Sequence, residues 1–97
     1  MRLTPEQVAI IRQSTAASFG PEARVWLFGS RVDDSRWGGD VDLLVEARVA
    51  PSIAELLTSK VTLEQQLQVP VDLIVDAPGR PPGPIATIAR LTGVRLS

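Results

Sequence analysis

This 97-residue chain contains no cysteine, no histidine and no tyrosine. Without cysteine there is neither a disulfide scaffold nor a thiolate metal site. The lack of histidine excludes imidazole general bases, histidine-held zinc and Ser-His-Asp chemistry. Any metal the chain binds must therefore rest on oxygen ligands. An excess of either charge is missing too: the formal net charge is −1, and no run of like charge marks a basic patch. Nine of the ten cationic residues are arginines, a bias that high-GC coding produces and that says little about phosphate by itself. No stretch approaches the roughly 20 apolar residues of a membrane span. The amino terminus, with Glu6 a few residues in, does not read as a signal peptide. These absences predict a cytoplasmic protein with no membrane partner, for which direct nucleic-acid binding is not expected.

What is present suits one small domain over residues 1–97. Apolar residues make up 44% of the chain, enough for a core, yet so short a domain has limited stability alone and invites a permanent partner. Thr4-Pro5-Glu6-Gln7 is a strong helix start, with Thr4 as cap, Pro5 at the first helical position and Gln7 completing a capping box. Val8, Ile11 and Thr15 share a face, and Gly20-Pro21 ends that helix. Strands are expected at about 24–28, 40–46 and 71–75. Ser52 with Glu55 forms a second capping box. The helix after it carries Ile53, Leu56, Leu57, Val61, Leu63 and Leu67 at helical spacing, a face expected to lie in the core. Residues 31–39 read as a helical turn and a mobile loop, and the breaker-rich 77–84 as a loop. A short helix around 85–91, closed by Gly93, and an edge strand at 94–96 complete the order. No repeats are evident. The pattern predicts an α+β domain with a mixed central sheet of three to four strands flanked by helices.

The chemistry concentrates between residues 28 and 43. Val25, Trp26, Leu27 and Phe28 form an apolar run that stops at Gly29, as a buried strand does. Glycine admits backbone angles closed to other residues and lets a ligand approach the main chain. Ser30 adds a hydroxyl, and amides at the start of a helical turn favour an anionic phosphate. Asp40 and Asp42, two residues apart on a strand, point to one face. Asp72, in a second Val-Asp-Leu run, completes an acidic cluster if its strand lies alongside, since neighbouring strands are about 4.8 Å apart. Clustered carboxylates repel one another unless a cation holds them, and magnesium suits hard oxygen ligands and phosphate.

This pattern, apolar-Gly-Ser, nine residues, then Asp-apolar-Asp-apolar, resembles the signature of the DNA polymerase β-type nucleotidyltransferase superfamily. The length, Arg31 after Gly-Ser and the Val-Asp-Leu strand near 72 narrow the resemblance to the minimal nucleotidyltransferases. The resemblance implies the small nucleotidyltransferase fold, with Gly29 and Ser30 contacting the triphosphate of ATP. It implies that Asp40 and Asp42 ligate two magnesium ions. Asp72 would share one metal and help deprotonate the acceptor hydroxyl. Two metals roughly 3.5–4 Å apart stabilise the attacking and leaving oxygens together, which leaves little for acid–base side chains to do. Arg31 either contributes to phosphate or partner binding or pairs with Asp33 or Asp34. In this family such proteins often act as antitoxins that transfer AMP to a tyrosine of a helical HEPN-domain toxin. Lacking tyrosine, this chain cannot be its own acceptor at that residue type.

The expected function is thus a magnesium-dependent nucleotidyltransferase, a protein adenylyltransferase acting on a HEPN-type partner. The alternative is a non-catalytic nucleotide-binding module that masks a toxin by stoichiometric binding. Transfer onto a nucleic-acid 3′ end is a weaker third reading, given no basic groove. Among neighbouring residues, Asp33, Asp34 and Arg36 read as solvated loop positions and Trp26 as core. Trp37, before Gly38-Gly39, reads either as a loop residue or as a platform for a base or a partner.

Overall fold

Both capping boxes form. Thr4 Oγ1 accepts from the Gln7 amide at 3.1 Å while Gln7 Oε1 accepts from the Thr4 amide at 2.9 Å. Ser52 and Glu55 repeat the exchange at 3.1 and 2.9 Å. Each cap satisfies amides that would otherwise face only water and is worth about 1 kcal/mol. They open α1 (Pro5–Phe19) and α2 (Ile53–Leu67). The computed structural model describes residues 3–32, 39–79 and 83–97, Ser30 through its backbone alone. The expectations for Asp33, Asp34, Arg36 and Trp37 fall outside the described residues.

The strands are β1 (Arg24–Phe28), β2 (Val41–Glu46), β3 (Val71–Asp76) and β4 (Val94–Arg95), in the sheet order β3-β2-β1-β4. β1 runs antiparallel to β2 and β4, whereas β2 and β3 are parallel. A parallel neighbour requires a crossover, and α2 supplies it. The third helix, α3 (Pro84–Thr92), is capped by Gly93. The sheet is mixed, as the sequence predicts.

Alternation along the strands separates two faces. Val25, Leu27, Val41, Leu43, Val45 and Val71 pack with Ile11, Leu63, Leu67 and Leu96. On the other face Leu44, Trp26, Phe28 and Ile74 pack against Ala86 and Ala89 of α3. Leu43, on the central pair of strands, is fully buried. Leu43→Ala is expected to cost about 3 kcal/mol through lost burial and the cavity left behind; urea unfolding measures it, and a loss below about 1 kcal/mol would place the main core elsewhere.

Four expectations need correction. Strand two begins at Val41, so Asp40 stands one residue before it. The apolar residues of α2 split into two stripes, because their spacing spans more than one helix face. Ser59, Leu63 and Leu67 are buried, but Ile53, Leu57 and Val61 are 77%, 53% and 49% exposed. Trp26 is only half-buried, since its ring lies on the face covered by the short α3 rather than in the main core. Finally, β2 and β3 are a local repeat: Val-Asp-Leu-Leu-Val-Glu stands in register against Val-Asp-Leu-Ile-Val-Asp. Like therefore faces like across the pair, acids included.

Candidate active site

β1 ends at Phe28, and Gly29 turns the chain with φ +77° into a single 3₁₀ turn, Gly29–Val32. Few residues other than glycine hold that angle comfortably. A second constraint acts at the same atom. A β-carbon built on Gly29 would overlap Asp42 Oδ2 and lie 3.0 Å from Asp42 Cγ. The main chain of the turn is thus seated directly against the Asp42 carboxylate.

The sheet places the acids. Phe28 is the cross-strand partner of Asp42, and Asp42 that of Asp72. Asp42 is half-buried and Asp72 exposed. Asp42's carboxyl is pushed up from 3.8 to about 6. Burial is the main cause, followed by its hydrogen bond to Asp72, the charge of Asp72 and then that of Asp40. Each of these influences disfavours the carboxylate. A hydrogen bond between two carboxyl groups requires a proton between them, which the Asp42 carboxyl supplies at pH below its raised value. Asp40, exposed at the strand's threshold, acts on Asp42 through its charge. Among the described residues no group of three or more acidic side chains is drawn together as a metal cage.

The donor set nevertheless suits a hard cation: it offers only carboxylate oxygens, two of them already meeting across β2 and β3. A divalent ion would take over the role of the shared proton and relieve the repulsion that raises Asp42. Arg31 lies in the 3₁₀ turn, and its Nη2 donates to the Gly39 carbonyl at 3.3 Å. This bond ties the turn to the approach of β2. Ser30 lies in the same turn.

Sequence reasoning missed a second acidic pair on the same face. Glu46 and Asp76 are register partners at the far end of β2 and β3. Here a cation is built in: Arg90 Nη2 of α3 bonds Asp76 Oδ2 and lies 3.2 Å from Glu46 Oε2. Its guanidinium is held further above its usual value, chiefly by the bond to Asp76. The other Glu46 oxygen accepts from Trp26 Nε1 at 2.8 Å. The repeated Val-Asp-Leu-x-Val-acid hexads were the available signal.

Sheet order, crossover and turn together define the small nucleotidyltransferase fold. Three solved structures that it resembles are of toxin–antitoxin systems. One is a tri-AMPylated Shewanella oneidensis HEPN toxin in complex with an MNT antitoxin: TM-score 0.72, 19% identity, over 95% of this chain and 70% of that one. A second is the toxin–antitoxin MntA–HpeT carrying two aspartate-to-glutamate substitutions: TM-score 0.75, 18% identity, over 93% and 71%. A third is a toxin–antitoxin with AMP-PNP: TM-score 0.76, 19% identity, over 93% and 72%. No family model matches the sequence, and neither does any curated protein. Among the described residues no helix is long and apolar enough to cross a membrane.

Proposed function

We propose that this protein is a magnesium-dependent nucleotidyltransferase of one domain. It moves AMP from ATP to a hydroxyl of a helical HEPN-type toxin and serves as that toxin's antitoxin in the cytoplasm. The observation that carries this reading is the in-register Asp42–Asp72 pair seated beside the Gly29-Ser30 turn. Nucleotide and partner follow by analogy of fold: one similar structure holds AMP-PNP, and another contains an AMPylated toxin.

In this mechanism Gly29, Ser30 and the amides of their turn receive the phosphates. Arg31 keeps the turn joined to the strand that carries Asp42. Asp40, Asp42 and Asp72 are the oxygen ligands for magnesium, whose charge would stabilise the attacking and leaving oxygens together. The acceptor oxygen attacks the α-phosphorus in line, and its bond forms as the bond to the bridging oxygen of the leaving pyrophosphate breaks. The hydroxyl proton passes to Asp72, the exposed member of the pair. The remainder of the catalysis is positioning and charge stabilisation.

A second reading has an observation in its favour: as placed, the Asp42 and Asp72 carboxyls meet each other and form no cage with Asp40. A module that masks its toxin would need nothing more. One experiment separates the two. Incubated with α-labelled ATP, magnesium and the partner toxin, the wild-type chain is expected to label the toxin, and Asp40→Ala to reduce labelling by about 100-fold or more. Undiminished toxin neutralisation by an unlabelling Asp40→Ala variant would select the masking reading.

A further inference from the structure

Two carboxylate pairs lie on one face of the same two strands, four residues apart: Asp42 with Asp72, and Glu46 with Asp76. Only the row of Leu44 and Ile74 separates them, and on it rest Ala86 and Ala89 of α3. Arg90 follows Ala89 directly and reaches both acids of the second pair. Trp26 of β1 holds the remaining oxygen of Glu46. A single chain of polar contacts therefore joins β1, β2, β3 and α3.

We propose that Arg90 is a positioning residue for the Asp42–Asp72 pair, a proposal that rests on the transferase reading above. Its guanidinium bridges the two parallel strands where they would otherwise repel. The spacing of β2 and β3 set there carries along the pair of rigid strands to Asp42 and Asp72. It also seats α3 on Leu44, the residue two before Glu46 and two after Asp42. A planar fork that serves two carboxylates at once is a task for arginine, whereas lysine offers a point charge for one of them. Groups that orient metal ligands from outside the coordination sphere commonly matter to affinity by 10–100-fold. The apolar Leu96→Ala change, in the core on the opposite sheet face, provides a destabilised comparison that leaves the polar chain intact.

The test is calorimetric titration of the full chain with Mn2+ at a temperature where every variant is folded by circular dichroism. Arg90→Met is expected to weaken Mn2+ binding about tenfold, Arg90→Lys about threefold, and Leu96→Ala not at all. Equal Mn2+ affinity in wild type and Arg90→Met would overturn the proposal while leaving the transferase reading intact. A matching loss in Leu96→Ala would overturn it too, because the effect would then be one of general stability. Wild-type protein that binds no Mn2+ would overturn the transferase reading and this proposal with it. Transfer kinetics add a second readout: in Arg90→Met the half-saturating magnesium concentration should rise with the KM for ATP little changed.

Discussion

Asp42→Asn is expected to abolish nucleotidyl transfer, by about 1,000-fold or more, while making the metal-free fold more stable at neutral pH. The side chains are nearly isosteric, and the new amide can donate to Asp72 as the protonated carboxyl does. What disappears is the negative charge that would hold a cation. Stability moves the other way because Asp42 titrates near 6 in the fold, against an ordinary 3.8. A group whose pKa is raised on folding gives stability that is complete below its unfolded pKa, and that is lost as pH rises through the folded value. Wild-type protein should therefore lose stability between about pH 4 and pH 7. The full shift corresponds to about 3 kcal/mol at most; for a half-exposed group, water reduces this to about 1–2 kcal/mol. Urea unfolding at pH 4.5 and 7.5 checks this: the wild-type decline should be absent from Asp42→Asn, and magnesium should restore stability only to wild type. Transfer surviving within tenfold of wild type would remove Asp42 from the site.

Much of this arrangement was legible in the sequence, and the residues show why. Capping boxes are local, so Thr4–Gln7 and Ser52–Glu55 could be read from three-residue spacings. An apolar run broken by glycine marks a strand end, and β1 stops at Phe28 as expected. Periodicity also placed Asp42 and Asp72 on strands. That the two strands are neighbours, in the register pairing Asp42 with Asp72, depends on tertiary assembly. The faces of α2 were harder to read, since Ile53, Leu57 and Val61 have the same helical spacing as Leu63 and Leu67. The packing of α2 against α1 and the sheet decides which stripe is covered. In α3 the large residues Ile85, Ile88 and Leu91 are exposed, while the small Ala86 and Ala89 approach the sheet. A hydrophobicity pattern ranks those residues in the opposite order. Arg90 was illegible for a related reason: an arginine on a short helix gives no sign of its distant partners.

Gly29→Ala should be nearly as damaging to transfer as the loss of Asp42, through a different cause. The turn requires φ +77° at this position, which costs an L-residue about 1–2 kcal/mol. Strain alone would leave the carboxylates in place. The added methyl, however, overlaps Asp42 Oδ2, and a main chain held at the end of a paired strand gives way less readily than a side-chain rotamer. Asp42 must therefore rotate, giving up its bond to Asp72 and its position beneath the turn that would receive the phosphates. A displacement near 1 Å at a reacting centre costs about 100-fold, and at least that loss of transfer is expected. Gly20 separates the two causes. It has φ +99° and open space around the position a β-carbon would take, so Gly20→Ala carries the backbone strain without the collision. Gly29→Ala should lose about 1–2 kcal/mol in urea unfolding and Gly20→Ala, whose ψ of 155° lies in a region nearly closed to L-residues, at least as much, yet only Gly29→Ala should lose labelling of the toxin from α-labelled ATP. Equal losses of transfer in the two would mean that strain is the cause, and that the contact between the Gly29 turn and Asp42 is not where the chemistry takes place.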